Sequence, residues 1–366
     1  MAGLAACSPR ESPPTLVDAQ TFELQRILDE VQRQSGVPGM AAAWARTDGP
    51  VHAAVAGVRA IGSAGALVQI DDHVRLGAAS DAFVGGTVLS MVTEGRLQWD
   101  STVQGVLKDL AARIRPEYRS VTVEQLLTHR VSIAPMTPSD IRALTAVAGA
   151  QGRAMAGREA IVQWALTRPP VTPPVTTPGP STGNPDVSYL VAAHMAERAD
   201  NTPFETALLE RVLKRMGVPG DCAAASPDGE QRWFTLAGHV GTPAAPVVAG
   251  VTGLDAMPPA LLPIADVRCS ISSLAQFART EVRALRGTDI RTVFSAENMR
   301  RLYAAPSSGG RRIVRRTADA QTFAAQVTLL PDDDLAIVVA GNAGYGQAAC
   351  ERLTRDVAAS LGVALP

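Results

Sequence analysis

Lysine is almost absent from this sequence: Lys108 and Lys214 are the only two among 34 basic residues in a chain of 366. Aromatic residues make up 4%, too few for the stacked rings that hold single-stranded nucleic acid, so the core must be built from Ala, Val and Leu. Neither sign of charge dominates. The 34 basic and 35 acidic side chains leave a formal net charge of −1, which excludes a strongly basic nucleic-acid binder and an acidic disordered solubiliser. No run approaches the roughly 18 apolar residues of a transmembrane helix. Cys7, Cys222, Cys269 and Cys350 lack C-x-x-C spacing, which argues against a zinc site or a dithiol redox motif and leaves the compartment open. His52, His73, His129, His194 and His239 are scattered. No metal site and no cofactor is expected from them.

What is present is a chain with 46% hydrophobic residues, long enough at roughly 100–200 residues per domain for one large or two intimate domains. Residues 1–17 read as a flexible leader, rich in Pro and Ser from Ser8 to Thr15. Leu4-Ala5-Ala6-Cys7 matches the apolar-small-small-Cys pattern cut in bacterial lipoproteins, but the six residues before Cys7 are too few for a charged and apolar signal. Two readings stand. One is an Ala-rich coincidence in a cytoplasmic protein, favoured by the sequence as written, and the other is an exported lipoprotein whose start lies upstream of Met1.

Helical spacing of Phe22, Leu24, Ile27, Leu28 and Val31 predicts a helix over Ala19 to Arg33, ended by Gly36. Strand-like stretches follow at Met40 to Ala45 and Val51 to Val58. Three more lie near the other end, at Ile313 to Arg316, Phe323 to Leu330 and Leu335 to Ala340, before a final helix from Tyr345 to Ser360. The pattern predicts an α/β (α+β) fold: a five-stranded antiparallel sheet flanked by N- and C-terminal helices, with an inserted, mainly helical domain. The expected division is 18–75 plus 305–366 for the sheet domain and 76–304 for the insertion. Helices are predicted there at Ala82 to Glu94, Val123 to Leu127, Gly157 to Leu166, Val187 to Arg198, Phe204 to Met216 and Ile271 to Leu285. Arg168 to Asp186, rich in Pro, Thr, Ser and Gly, reads as a surface loop or cleft rim.

The order of several segments resembles the serine β-lactamase and penicillin-binding-protein-like family, which includes class C β-lactamases, D-Ala-D-Ala carboxypeptidases and esterases. The segments are Gly36-Val37-Pro38-Gly39, Glu94-Gly95-Arg96-Leu97 with Asp100, Val121 to His129, and Pro178-Gly179 ahead of a helix. The resemblance runs from about Ala19 to Leu361 and implies a β-lactamase/transpeptidase-like fold with its site at the junction of sheet and helical domain. It also implies acyl transfer to a serine through three motifs: S-x-x-K opening a buried helix, Y-x-N or S-x-N on a loop, and K-T-G or H-T-G on a strand.

All three slots can be placed, and all three are altered. The first falls on Ala78-Ala79-Ser80-Asp81 after Gly77, putting an alanine at the nucleophile and reversing the charge at the lysine. Ser80 lies about 200° around a helix from position 78, whereas Asp81 shares its face. No S-x-x-K exists elsewhere, since Gly105 and Arg211 stand three residues before the two lysines. The second slot falls on Asn184-Pro185-Asp186, and an asparagine is no base at neutral pH. The third becomes Arg316-Thr317-Ala318, where the arginine keeps a positive charge able to bind a carboxylate bidentately.

Each residue also has a structural role open to it. Asp81 can stabilise a helix dipole, Asp186 can be an N-cap, and Arg316 can pair with a surface carboxylate. The expectation is a catalytically degenerate relative that forms no acyl-serine and keeps its cleft for a small molecule or peptide, with Arg316, Thr317 and Asn184 as binding residues. The alternatives are a repurposed enzyme using Asp81, Asp186 and Arg316 for non-covalent acid–base chemistry, such as cyclisation, isomerisation or elimination, and an exported envelope lipoprotein or scaffold.

Overall fold

Asp18 opens the first helix, α1 (Ala19–Ser35). Its Oδ1 accepts from the N–H groups of Gln20 and Thr21 at 2.9 Å, satisfying donors that a helix start leaves open. Gly36, at φ 68°, ends it in the left-handed conformation. Leu24, Ile27, Leu28 and Val31 form the buried stripe. The computed structural model describes residues 18–365 except 64–65, 132, 135, 138, 141–142, 145–153, 172–184, 219–221, 223–235, 250–258, 266, 291–292, 304–306, 309 and 320.

The strands β1 (Gly39–Ala45), β2 (Val51–Gly57), β3 (Val314–Asp319), β4 (Ala324–Leu330) and β5 (Leu335–Gly341) form one antiparallel sheet in the order β2-β1-β5-β4-β3. The two ends of the chain meet in its middle, from Met40↔Gly341 to Ala45↔Ala336. β1, β4 and β5 are buried along their whole length because alternate side chains face two covered sides. On one side Met40, Ala42, Trp44, Ile337 and Val339 join the core formed with α1 and the C-terminal helix (Gln347–Ser360). On the other, Ala41, Ala43, Val327 and Val338 join the core formed with the helix Ile271–Leu285. Each fully buried Leu, Ile or Val in these layers contributes about 1.5–3 kcal/mol.

The architecture is the one expected, with one change that matters for the site. β3 continues to Asp319, because Val314 to Asp319 pair residue for residue with Leu329 to Ala324. Arg316, Thr317 and Ala318 therefore lie inside an edge strand. Short pairings escape sequence reading, among them His73–Arg75 with Arg268–Ser270 and His239–Thr242 with Ala245–Val248. Strands of three or four residues carry too few alternations to register as a period.

Between the two halves of the sheet the described residues are mostly helical. The helix α2 (Asp81–Thr93) is buried from Ala82 to Met91 and packs on α4 (Pro185–Asp200), which also packs on α3 (Ala154–Leu166). A buried charge network joins these last two. Arg158 donates to Glu197 Oε1 through Nε at 3.1 Å and Nη2 at 2.7 Å, and reaches Glu205 at 3.0 Å and the Ala260 carbonyl at 3.0 Å. The region expected as one helix from Phe204 to Met216 contains a π turn over Leu208–Leu213. Cys222 and Cys269, both fully buried, form a disulfide, and Cys350 is a buried free thiol. Among the described residues no helix is long and apolar enough to cross a membrane.

Candidate functional site

Two helices start from one small strand pair. Ser270, at the end of Arg268–Ser270, caps α5 (Ile271–Leu285) by accepting from the Ser273 N–H at 3.2 Å. From the partner strand, Gly77 at φ 49° turns the chain into a 3₁₀ turn, Gly77–Ser80, that runs directly into α2. The Asp81 N–H donates to the Ala78 carbonyl. Residues three apart eclipse in such a turn, so Ala78 and Asp81 share one side, and both are partly exposed. Ser80 is fully buried, and among the described residues its Oγ has no hydrogen-bond partner. The turn packs against β3 and β4, so the head of α2 lies beside the strand that carries Arg316.

Arg316 makes a specific contact. Its Nη1 donates to Glu281 Oε2 at 3.0 Å and its Nη2 to Glu281 Oε1 at 2.8 Å. The Nη2 also donates to the hydroxyl of Tyr303, whose ring the guanidinium overlies at 4.6 Å, and the Tyr303 O–H in turn donates to Glu281 Oε1 at 3.0 Å. The Arg316 side chain is 11% exposed and that of Glu281 1%. Burial works against the charged guanidinium, but Glu281 and Tyr303 outweigh it and raise its pKa above the ordinary arginine value. Burial, with Glu281 nearby, also pushes the Tyr303 phenol well up. Thr317 points to the other face of the strand and is exposed.

A second aromatic lies on α4. The Tyr189 O–H donates to the Leu127 carbonyl at 2.7 Å. Burial raises its pKa, with smaller electrostatic influences from Asp81, Arg316 and Glu281, and α4 packs on α2, whose leading turn packs on β3. His129 stacks on the Tyr189 ring with centroids 5.0 Å apart. It holds a left-handed backbone at φ 52°, uncommon for a residue other than Gly or Asn, and burial lowers its pKa below the ordinary 6.5. Its Nδ1 is buried without a hydrogen-bond partner among the described residues.

The structure thus gathers Asp81 and Arg316 with Tyr189, Glu281 and Tyr303. Asp186 is the second residue of α4, inside its first turn, with its side chain outside the described residues, and Asn184 also lies outside them. Among the described residues no group of three or more His, Cys, Asp or Glu could hold a metal ion. Glu281 was missed by motif reading, although it left a trace: it interrupts the apolar stripe Leu274, Phe277, Ala278, Val282 and Leu285 of α5. A carboxylate in the core-facing stripe of a helix demands a cation.

A sheet flanked by terminal helices, with a buried helix opening beside its edge strand, defines a serine-hydrolase architecture of the β-lactamase type. The model of the Beta-lactamase family matches residues 24–361, and the chain belongs to that family. Solved structures agree on the fold. SurE superposes with a TM-score of 0.73 at 17% identity, covering 95% of this chain and 78% of that one, and it has also been solved with D-Leu. A beta-lactamase/D-alanine carboxypeptidase from Pseudomonas syringae gives 0.69 at 18% identity, over 95% of this chain and all (100%) of that one. A D-amino acid amidase from Ochrobactrum anthropi, solved with L-phenylalanine amide, gives 0.70 at 14% identity, over 94% and 100%. No curated protein matches the sequence.

Proposed function

We propose that this chain is a catalytically degenerate member of the family, unable to form an acyl-serine, that keeps the cleft between sheet and helices to bind a small molecule or peptide. The observation that carries this reading is Ala78, in the nucleophile slot at the head of α2, with Asp81 one turn on in place of the lysine. A methyl group cannot attack a carbonyl, and an aspartate cannot supply the lysine's positive charge. Ser80 offers no substitute, being enclosed. Burial pushes the phenols of Tyr189 and Tyr303 above the ordinary tyrosine value, which weighs against them as bases at neutral pH.

The pairing of Arg316 with Glu281 favours binding over the acid–base alternative, because the cation that would work beside Asp81 and Asp186 is already engaged. SurE has been solved with D-Leu and the amidase with an amino-acid amide, which supports an amino-acid derivative as ligand. The test is labelling with a fluorescent penicillin followed by denaturing electrophoresis. No covalent band is expected, and a band that maps to any cleft residue overturns the reading.

The cysteines bear on where the chain works. Disulfides persist in oxidising compartments, so the buried Cys222–Cys269 bond supports export over a cytoplasmic chain. Thiol trapping in acid-quenched native cells should find Cys222 and Cys269 protected from alkylation until reduced. Alkylation of both without reduction places the chain in a reducing compartment.

A further inference from the structure

His239 is fully buried where segments meet at one end of the sheet: the hairpin that it begins, the turn after β2, the residue after β5 and the approach to β4. Its backbone N–H donates to the Thr322 carbonyl at 3.1 Å. Both ring nitrogens are engaged. Nδ1 lies 2.7 Å from the Asn342 carbonyl oxygen, and Nε2 lies 3.1 Å from the Ile61 nitrogen. A carbonyl oxygen only accepts and a backbone N–H only donates, so these partners fix a neutral ring with its hydrogen on Nδ1 and a bare Nε2. The Asn342 side chain holds the same place, donating to the Val58 and Arg59 carbonyls at 3.1 and 3.2 Å and accepting from the Gly39 N–H at 2.7 Å.

A second proton can enter the ring only at Nε2, where it points at the Ile61 N–H. Two donors then face each other, and the new charge is enclosed. The ionisable side chains on the surrounding elements are Arg59, Asp71, Asp72 and His73 from the turn after β2 onward, and Tyr345 beyond β5. Arg59 Nε donates to Asp72 Oδ2 at 2.7 Å, and the Tyr345 O–H donates to the Gly36 carbonyl at 3.1 Å. Residues 240–248 and 321–323 bring no charged side chain.

We propose that His239 is an acid-sensitive bolt: a proton taken from water at Nε2 breaks the bond to Ile61 and frees the turn at residues 59–63 from the hairpin. The closed form has no place for that proton and the open form has one, so falling pH shifts the balance toward the open form. Exposed apolar side chains lie on both tied segments, Ile61 on the turn and Val247 and Val248 on the hairpin. Release therefore changes the apolar surface that the chain presents. The device is independent of the cleft and of whether a serine there can be acylated.

Amide hydrogen exchange of the full chain, read by NMR at about pH 8 and about pH 5 and corrected for the intrinsic rate, tests this. Protection of the Ile61 amide, and of the Ala237 amide bonded to the Arg59 carbonyl at 3.0 Å, should fall by about tenfold or more on acidification. Amides of the central strand β1 should keep theirs. Imidazole nitrogen shifts at the higher pH should show the hydrogen on Nδ1 of His239. His239→Gln, which takes up no proton, should lose the pH response of the turn. Unchanged protection of Ile61 at the lower pH overturns the proposal, as does a hydrogen on Nε2 at the higher pH or a folded His239→Gln chain with the wild-type response. If that variant does not fold, the exchange and ring shifts of the wild-type chain decide alone.

Discussion

Arg316 on the edge strand and Glu281 on the helix Ile271–Leu285 bind each other at both ends, Nη1 to Oε2 at 3.0 Å and Nη2 to Oε1 at 2.8 Å. The carboxylate lies in an apolar stripe, so removing either partner strands a charge in the core. Glu281→Ala or Arg316→Met should each lower stability by about 3–5 kcal/mol, whereas Glu281→Met with Arg316→Met should lose much less than the sum. Urea denaturation of the double-mutant cycle checks this, and additive losses would mean that the pair is not coupled.

The network around Arg158 makes a parallel prediction, with a pH signature. Burial disfavours the charged form of Glu197, but the hydrogen bond from His194 and the charge of Arg158 outweigh it and hold its pKa below the ordinary 4.5. Because the folded pKa is depressed, its contribution to stability is complete above pH 4.5 and is lost as the pH falls through the lower, folded value. Glu197→Gln should cost about 3–5 kcal/mol at pH 7 and less at pH 3. Thermal denaturation at the two pH values measures the difference.

His129 should titrate in a higher window. Burial alone lowers its pKa from 6.5, so the fold favours the neutral ring, and the associated stability is present above pH 6.5 and declines below it. A proton NMR titration should give this imidazole a midpoint under 6.5, with His129→Asn, a residue that tolerates the left-handed backbone, used to assign the signal. A midpoint at or above 6.5 would contradict the buried placement.

How much of this could be read in advance differs between fold and site. The helices α1 and α5 carry consistent helical periods, and the strands and α2 read as apolar stretches bounded by turn residues, so their existence and order were legible before any coordinate. The proposed slot at position 78 was placed between Gly77 and Glu94-Gly95-Arg96-Leu97, and the structure sets that residue in the turn at the head of α2. The partner of Arg316 was not, since Glu281 is 35 residues away on another element and no local pattern links a strand to a helix across a core. The same holds for the Cys222–Cys269 bond: sequence gives four cysteines, and only packing says which two meet.

That bond closes a long segment onto the strand from which α5 starts. Reduction, or Cys222→Ser with Cys269→Ser, should lower stability by about 2–4 kcal/mol. Guanidinium denaturation with and without reductant measures it. No difference would show that the bond does not form in solution.

The central claim is that no serine in this cleft can be acylated. Intact-mass spectrometry after prolonged incubation with benzylpenicillin and, separately, with a fluorophosphonate tests it most directly, with an active class C β-lactamase treated in parallel. The mass of this chain should stay that of the unmodified protein with both reagents. A stoichiometric mass increase, traced by peptide mapping to Ser80 or any other cleft residue, would contradict the account.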